Sequence, residues 1–347
     1  MKLALITEIP APYRIPLWNA LAERVDLRVI FLAERDPRRA YDLHRDEWRF
    51  EARVLPGREL VLGGRWLVAS RGVSRELRGA EAVLVGGWNQ PAFFQAARAG
   101  LPYALWVEST ARDERRGRLE WLKRRLLGSA AGVVVPGTAA RDYVLGLGAN
   151  PARIAVAPNA FDLTAFTHAV EQARGPHGLT VLTVARLSPE KGVATLLEAV
   201  ERLDAELVVV GDGPQEGALR KAAPANVRFA GRASRGELPR FYAKADVFAL
   251  TSRSETWGMA LSEAAAAGLP LVATEAVGGA WDLIEEGVNG YRVPVGDAAA
   301  VREALGKVLA SEAWRDRAGR HSRELAEQAT PERWAGTVER LFSEILS

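Results

Sequence analysis

Residues 179–200 read LTVLTVARLSPEKGVATLLEAV, and their pattern decides the fold class. An almost continuous apolar run ends near Ala185, a short turn follows, and Gly192 precedes a second apolar segment with helical spacing. A strand that is buried on both faces and leads into a helix is the repeating unit of a parallel sheet. The stretch therefore predicts one strand-turn-helix unit of an α/β domain.

The same alternation recurs along the whole chain of 347 residues and predicts two doubly wound, Rossmann-like domains. Short apolar runs of strand length, separated by helical patterns, are KLALIT, DLRVIFLA, AVLVGG, PYALWVES, AGVVVPG and RIAVAP in the first half, then LTVLTVAR, AELVVVGDG, NVRFAGR, ADVFALTS, LPLVATE and GYRVPV. The expected domains are 1–166 and 179–330, with the polar stretch THAVEQARGPHG (167–178) as the hinge. A C-terminal helix at about 331–347 is expected to pack back on the first domain, and ligands are expected in a cleft between the domains.

Composition excludes several classes of protein. The chain has no cysteine, so disulfides and thiolate chemistry are absent, and it has no apolar run of the ~20 residues that a membrane span needs. The N-terminus reads as a buried strand rather than a signal peptide, so a cytoplasmic protein is expected. The net charge is only +3, and no basic stripe interleaved with aromatic residues indicates nucleic-acid binding.

The turn in the opening stretch carries two cations. Arg186 and Lys191 flank LSPE between the predicted strand and the predicted helix. A guanidinium, an ammonium and the amide groups of a helix start together suit a phosphate group. The alternative is that both are solvated loop charges.

Two carboxylates occupy a second turn, in the stretch RSETWGMALSEAAAAG (253–268). Glu255 precedes a Trp-Gly pair, and Glu263 lies in the early turns of the next predicted helix. A carboxylate suits a vicinal diol, so each acid could hold one sugar on either side of a bound diphosphate. The alternative is a capping role for Glu255 and a solvated Glu263.

The glycines of GDGP (211–214) do not form a dinucleotide fingerprint. The third glycine of that motif falls at Gly217, which is the wrong spacing, and no acid ends the following strand. Gly211 and Gly213 instead predict a sharp backbone turn beside a ligand.

In this order, these segments resemble the family-4 retaining glycosyltransferases of GT-B fold. VARLSPEKG is similar to the arginine-and-lysine diphosphate motif of that family, and ETWGMALSE to its paired-glutamate motif. GDGP, GLPLVATEAVGGAWDLIEEGVNGYRVPVGD and VAPNAFDLTAF also match in order, so the resemblance covers most of the second half of the chain. It implies an α/β, GT-B architecture and a bacterial type of transferase that acts in polysaccharide or glycoconjugate biosynthesis.

The resemblance also implies roles for the residues of the second half. Arg186 and Lys191 would neutralise the donor diphosphate, Glu255 would bind the donor sugar, and Glu263 would bind the ribose. Backbone groups would contact phosphate, sugar and base at Gly213, Gly231, Arg232, Gly258, Met259 and Ala260.

The first half departs from the family pattern, and the roles of its residues stay open. Tyr13 and Arg14 lie in TEIPAPYR, where they either face the acceptor or form a rigid turn with Tyr13 packed. Glu108 stands where many members have a histidine, and it either takes a catalytic contact with an acceptor hydroxyl or is a satisfied buried acid. Trp88 and Asn89 in GGWNQP either line the acceptor side or pack.

The most basic stretch is ARDERRGRLEWLKRRLL, residues 111–127. It predicts either a peripheral contact with anionic lipid at the inner face of a membrane or a solvated helix face over the core.

The resulting prediction is a metal-independent transferase, without a cofactor, that moves a hexose-type sugar from a nucleotide-diphosphate sugar to a small-molecule, lipid-linked or glycan acceptor. No Asp-x-Asp pair occurs in the chain, so cationic side chains are expected to replace a metal ion. The alternatives are a sugar-nucleotide epimerase, a phosphorylase and a non-catalytic nucleotide-sugar-binding protein.

Overall fold

The structure is a computed structural model that describes residues 1–36, 43, 45–62, 65–112, 120–160, 164–167 and 178–347. The chain divides into two compact units. The first comprises Met1–Ser109, Glu114–Asp162 and Ala329–Ser347, and the second comprises Thr110–Asp113 and Leu163–Gln328. Most of the expected hinge, residues 168–177, lies outside the described residues.

The first unit is built on a parallel seven-stranded sheet. Its order is β3-β2-β1-β6-β7-β8-β9, with β1 Lys2–Thr7, β2 Asp26–Phe31, β3 Glu51–Val54, β6 Ala82–Val85, β7 Tyr103–Trp106, β8 Gly132–Val135 and β9 Ile154–Val156. The central strands are buried along their whole length, as their continuous apolar sequences predict. A separate antiparallel hairpin joins β4 Gly57–Leu62 to β5 Arg65–Ser70.

In the described part of the first unit, five helices connect these strands. They are α1 Ile15–Ala22, α2 Val73–Glu76, α3 Pro91–Ala97, α4 Glu120–Ser129 and α5 Thr138–Gly146. Proline opens α3 and also occupies the first turn of α1, where its missing N–H is not needed by the helix. Both helices bury their apolar side chains against the sheet, which fixes the loops at the strand ends.

The second unit repeats the architecture with a parallel six-stranded sheet. Its order is β12-β11-β10-β13-β14-β15, with β10 Thr180–Val184, β11 Glu206–Val210, β12 Val227–Gly231, β13 Val247–Leu250, β14 Leu271–Thr274 and β15 Gly290–Val293. Between residues 178 and 347, its helices are α6 Val193–Val200, α7 Glu216–Ala222, α8 Leu238–Ala243, α9 Met259–Ala266, α10 Ala280–Leu283, α11 Ala298–Leu309 and α12 Glu312–Ala326.

The C-terminal helix α13, Pro331–Leu346, belongs to the first unit. The Thr330 side chain caps it by accepting from the amide of Arg333 at 3.3 Å. Its apolar face includes Trp334, which is fully buried and lies 5.0 Å from the ring of Trp106. Arg24, just after α1, also forms an ion pair with Glu339 of this helix at 2.9 Å. Because its buried apolar side chains belong to one of the core clusters of the first unit, α13 completes that core.

In each sheet the strand order reverses at one point. That point lies between β1 and β6 in the first sheet and between β10 and β13 in the second. Ligands of doubly wound folds bind outside the carboxyl ends of the strands at such a reversal. The loops that follow these four strands are therefore the places to examine for function.

The fold class predicted from the sequence is confirmed, because both units are α/β with parallel Rossmann-like sheets. The sequence pattern missed β3 and the β4–β5 hairpin. Most residues of β3 and the described residues of β4 are exposed, so neither strand carries the apolar run that revealed the others. Within the described ranges, no helix combines the length and apolar character of a membrane span.

Candidate functional site

The reversal point of the second sheet brings two predicted residues into contact. Lys191 ends the short turn after β10, and Glu255 lies in the turn after β13, the neighbouring strand. The ammonium of Lys191 donates a hydrogen bond to Oε2 of Glu255. The two side chains are 21% and 17% exposed, so solvent reaches the pair although most of it is covered. The cation and the acid thus act as one unit.

The turn after β10 is shaped by its contacts with the next loop. The amide of Leu187 donates to the carbonyl of Asp212 at 2.7 Å. Gly213 packs so tightly that a Cβ there would lie 2.4 Å from the carbonyl oxygen of Leu187. Gly213 therefore permits a close backbone approach, as the sequence predicted for the GDGP segment.

The turns after β10 and β13 are joined to each other through the backbone. The amide of Arg253 donates to the carbonyl of Glu190 at 2.7 Å. The hydroxyl of Thr251 donates to the carbonyl of Gly192 at 3.1 Å. Gly192 has φ +61°, and a Cβ would lie 2.2 Å from the Thr251 oxygen, so only glycine fits. These bonds hold Lys191 opposite Glu255.

Arg186 lies in the same turn and is exposed. It makes no hydrogen bond or ion pair with any other residue of the described ranges. Its charge still acts on the turn. Burial alone would raise the pKa of Glu190, but the Ser188 hydroxyl, a backbone hydrogen bond and the charges of Lys191 and Arg186 together lower it. The proposed diphosphate contact of Arg186 stays a prediction.

The start of α9 lies directly after Glu255. Gly258 adopts φ +94° as the residue before the helix, and no side chain caps it. The side chain of Glu255 therefore does not cap α9, which was the alternative to a role in ligand binding. The amides of Met259 and Ala260 are among the first N–H groups of the helix, which have no acceptor within it. These donors can serve the phosphate or sugar of a ligand, as predicted for Gly258 to Ala260.

Glu263 lies one turn further along α9 and has a partner that the sequence did not indicate. The hydroxyl of Tyr242 donates to its Oε2 at 2.6 Å. Burial raises the pKa of Glu263 to about 7, although the Tyr242 bond and the charge of Arg235 act in the opposite direction. A solvated Glu263 is therefore not what the structure shows, and its role as ribose ligand stays a prediction.

Two further predicted positions lie at the end of β12, the edge strand of the same sheet. Gly231 has φ +73°, and nothing lies within 4 Å of a Cβ built there, so the surrounding space is open. Its carbonyl accepts from the amide of Gly211 at 2.8 Å. Arg232 is exposed and comes directly after it. The open backbone at this edge is compatible with the predicted base contact.

In the first unit, the ends of β1 and β7 bring Arg14 and Glu108 together. Nη2 of Arg14 donates to Oε2 of Glu108, and Nη1 lies 3.3 Å from the hydroxyl oxygen of Thr7. The guanidinium carbon lies 4.6 Å from the ring centre of Trp106 and 5.6 Å from that of Tyr13. Oε1 of Glu108 is buried and has no partner among the described residues. One carboxylate oxygen of Glu108 thus has a hydrogen-bond donor, and the other has none among the described residues.

A second polar group follows β6 in the first unit. Asn89 and Gln90 donate their side-chain amides to Oε1 of Glu8, at 2.9 and 2.6 Å. Gln90 is itself buried and accepts from the amide of Val68 at 3.0 Å. The sequence analysis singled out Asn89 but missed Glu8 and Gln90.

Trp88 is 8% exposed and packs edge-on against Tyr143, with their ring centres 6.0 Å apart. Nζ of Lys123 lies 5.1 Å from its ring centre. Of the two alternatives for this residue, the packed one matches these contacts.

Only part of the basic stretch 111–127 is described, since 113–119 lie outside the described residues. Within α4, Leu126 and Leu127 are buried, and Arg124 pairs with Glu120 at 2.7 Å. Trp121 is 61% exposed on the same helix. The helix covers the core, and its exposed side carries both charge and an aromatic ring, so the lipid contact stays a prediction.

The missed residues share one property. Tyr242, Glu8 and Gln90 act through partners that are distant in sequence, at separations of 21 residues for Tyr242 and 82 for the Glu8–Gln90 contact. No local spacing reveals such contacts, and only the fold brings them together. Among the described residues, no three or more histidine, cysteine, aspartate or glutamate side chains lie together in a group that could hold a metal ion.

Two family models match the chain. The model described as Glycosyl transferases group 1 matches residues 169–325, and the Glycosyl transferase 4-like domain matches residues 11–160. The two models together cover most of both units.

Curated relatives match over shorter segments. A GDP-mannose-dependent alpha-mannosyltransferase of Corynebacterium glutamicum is 42% identical over 114 residues, which is 33% of this chain and 27% of the relative. A D-inositol 3-phosphate glycosyltransferase of Mycolicibacterium gilvum is 32% identical over 214 residues, which is 56% of this chain and 47% of the relative. The chain thus spans about half or less of the length of these relatives.

Among solved structures, HepE of Anabaena in complex with UDP superimposes with a TM-score of 0.77. The match covers 99% of both chains at 18% identity, so it shows the fold alone.

Proposed function

Because the chain belongs to the group 1 glycosyl transferases, we propose that it transfers a hexose-type sugar from a nucleotide-diphosphate sugar to an acceptor hydroxyl. The proposed reaction retains the anomeric configuration and needs no metal ion. One similar protein is described as GDP-mannose-dependent and another is a complex with UDP, which makes GDP and UDP the first nucleotides to test.

The contact between Lys191 and Glu255 is the observation that supports this proposal most strongly. In a nucleotide sugar the diphosphate is bonded to the anomeric carbon, so phosphate oxygens and sugar hydroxyls are close neighbours. An ammonium has three donors, and it can therefore bind phosphate while it still holds the carboxylate. The carboxylate in turn accepts hydrogen bonds from sugar hydroxyls. A touching cation and acid at a sheet reversal point thus suit this class of ligand.

Charge compensation would come from Arg186 and Lys191, with the amides at the start of α9. Negative charge grows on the diphosphate as the bond from the anomeric carbon to its oxygen breaks. Fixed donors aimed at that charge stabilise the transition state without reorganising. Arg186 is suited to this role because it is exposed and makes no hydrogen bond or ion pair within the described ranges.

The rest of the donor is assigned to neighbouring strand ends. Glu263 on α9 would accept hydrogen bonds from the ribose hydroxyls. The open backbone at Gly231 and Arg232 would contact the base. These assignments follow the family resemblance and the placement of all three residues in the second unit.

The acceptor is assigned to the first unit. Glu108 keeps one buried oxygen without a partner, while Arg14 fixes the other. A hydroxyl of the acceptor can donate to that oxygen. By resemblance to the family, the acceptor oxygen bonds to the anomeric carbon on the face that the phosphate leaves, and the departing phosphate oxygen takes the acceptor proton. Tyr13 and Asn89 would complete the acceptor side, for a small-molecule, lipid-linked or glycan acceptor.

A thermal-shift screen with UDP-, GDP-, ADP- and TDP-sugars tests the proposal. A fitting donor should raise the melting temperature, because a ligand that binds only the folded state stabilises it by mass action. The Lys191→Ala variant should lose that shift. NMR of the transfer product should then show the anomeric configuration of the donor.

No shift with any nucleotide sugar would contradict the proposal. Conversion of the donor to its epimer without an acceptor would replace it with an epimerase, and a strict need for free phosphate would replace it with a phosphorylase. Binding without transfer or donor hydrolysis would leave a non-catalytic binding protein.

A further inference from the structure

Tyr242 is a buried residue next to the donor site that the proposed function does not use. Its side chain is fully buried, and its hydroxyl lies 2.6 Å from Oε2 of Glu263. Oε1 of Glu263 has no partner among the residues that the structure describes. The tyrosine therefore occupies one oxygen of the carboxylate and leaves the other available.

The ring of Tyr242 is held by aromatic neighbours. Phe166 meets it edge-on with ring centres 5.4 Å apart, and Phe248 lies at 5.7 Å. Phe248 belongs to β13, the strand that leads into the turn with Glu255. Aromatic packing of this kind restricts the ring to one orientation, so the hydroxyl is aimed at Glu263 by the core of the unit.

We propose that Tyr242 is a positioning residue of the donor site, which holds the carboxylate of Glu263 so that Oε1 accepts the 2′- and 3′-hydroxyls of a ribose. This inference rests on the proposed function, because it takes Glu263 as the ligand of the nucleotide. It adds that the contact between Glu263 and the ribose depends on a tyrosine in the core of the unit.

The chemistry of the hydroxyl suits this role. Burial and the neighbouring carboxylate raise the pKa of Tyr242 well above its usual value, so the hydroxyl stays protonated and donates. A neutral donor fixes Oε2 without placing a counter-charge on the acid. A cation at the same position would compete with the ribose hydroxyls for the carboxylate, whereas the tyrosine leaves its full negative charge for them.

The hydroxyl also has a second acceptor within reach. The carbonyl oxygen of Ala260 lies 3.3 Å from the Tyr242 oxygen. When Glu263 takes up a proton, the hydroxyl of Tyr242 can turn to this carbonyl and accept a hydrogen bond from the protonated acid. The side chains therefore keep their positions in both protonation states, and only the acceptor strength of Glu263 changes.

The protonation of Glu263 gives the inference a pH signature. Its pKa is raised to about 7 by burial, against the opposing effects of Tyr242 and Arg235, the neighbours that influence it. The ribose hydroxyls donate to the charged form, so nucleotide affinity should fall as the pH drops below about 7. Loss of the tyrosine hydroxyl removes a bond to the carboxylate, which raises the pKa of Glu263 further and moves the midpoint of the affinity profile to higher pH.

Calorimetric titration of the full chain with UDP, GDP and ADP, and with their 2′,3′-dideoxy analogues, tests the inference. At pH 8, Tyr242→Phe should weaken binding of the ribonucleotide about tenfold and binding of the dideoxy analogue by much less. Glu263→Gln should reproduce this pattern. Tyr291→Phe is the matched control, because Tyr291 lies on β15 in the same unit and stacks on Trp314, so both affinities should stay unchanged.

The inference would be overturned if Tyr242→Phe kept the ratio of ribonucleotide to dideoxy affinity of the unchanged protein. It would also be overturned if the midpoint of the pH profile of affinity did not move in that variant. A variant that merely loses stability would weaken both ligands alike and would also count against it. If the unchanged protein binds none of the nucleotides, the proposed function fails together with this inference. This outcome differs from failure of the inference alone, because it is seen with the unchanged protein before any variant is measured.

Discussion

The two units build charged pairs at their sheet ends in different ways. In the second unit, Lys191 and Glu255 come from two turns that are joined by backbone hydrogen bonds. In the first unit, Arg14 and Glu108 meet through their side chains alone, with Trp106 beneath the guanidinium. Both pairs join residues that are distant in sequence, by 64 positions for Lys191 and Glu255 and by 94 for Arg14 and Glu108. Lys191 and Glu255, however, each lie in a contiguous motif that the sequence analysis identified.

The difference reflects what the two proposed ligands, the donor pyrophosphate and the acceptor hydroxyl, require of the protein. A pyrophosphate needs cations and amides at fixed places, and turns with glycines provide them from contiguous residues. An acceptor hydroxyl needs only one well-placed oxygen, which many side-chain arrangements can supply. We therefore expect the second unit to tolerate little change and the first unit to tolerate more.

The largest effect should follow removal of the Lys191–Glu255 pair. Lys191→Ala and Glu255→Ala should each lower transfer by at least ~100-fold, since each removes a group that contacts the reacting part of the donor. Because the two residues act as a unit, the double variant should be only slightly worse than either single one. Rates measured with saturating donor and acceptor check this.

Lys307→Ala is the control for that comparison, since Lys307 is exposed in the same unit and pairs with Glu303 at 2.7 Å. It should keep full activity. Turnover like that of the unchanged protein in either single variant of the pair, with the fold intact, would remove the basis for the donor site.

A change in the backbone of the second unit should come next in size. Gly192→Ala places a Cβ against the carbonyl of Thr251 at a residue with φ +61°, and should lower the free energy of unfolding by roughly 2 kcal/mol. Gly217→Ala in α7 is the matched control, because nothing lies within 4 Å of its Cβ. That variant should be neutral or slightly stabilising. Urea unfolding of both variants provides the values, and equal stability of the two would show that the turn is not constrained.

The pair in the first unit should give a smaller effect on transfer. Glu108→Gln should lower transfer by about tenfold, because the buried oxygen loses its charge as an acceptor for the hydroxyl. Hydrolysis of the donor in water should stay unchanged, since the second unit is intact. Glu81→Gln, at an exposed acid of the same unit, should affect neither rate.

If Glu108→Gln lowered donor hydrolysis as strongly as transfer, Glu108 would act on the donor. The contrast between the two units would then lose its functional meaning.

The same contrast explains which features of the structure could be predicted from the sequence. Strands such as β10 and β13 were predictable because they are continuous apolar runs, and the turns after them because their glycines and charges are contiguous. The exposed β4–β5 hairpin has no such run, so it was missed. Tyr242 and Gln90 were missed because their partners are far away in the sequence, and an apolar environment gives a tyrosine or glutamine no local signature.

The smallest effect should come from a chelator. EDTA should leave transfer unchanged, because Arg186 and Lys191 are assigned the charge compensation that a divalent cation provides in other transferases. Rates before and after chelation, and after addition of Mg²⁺ or Mn²⁺, test this. Activity that is lost with EDTA and restored by either ion would contradict the assignment.

The central claim is that the second unit recognises a pyrophosphate through Lys191 and its neighbours. Calorimetry with UDP and UMP, and with GDP and GMP, measures this directly, since each pair differs by one phosphate group. We predict that the unchanged protein binds the diphosphate at least about tenfold more tightly than the monophosphate, and that Lys191→Ala abolishes most of this difference. An equal preference for the diphosphate in Lys191→Ala and in the unchanged protein would contradict the account.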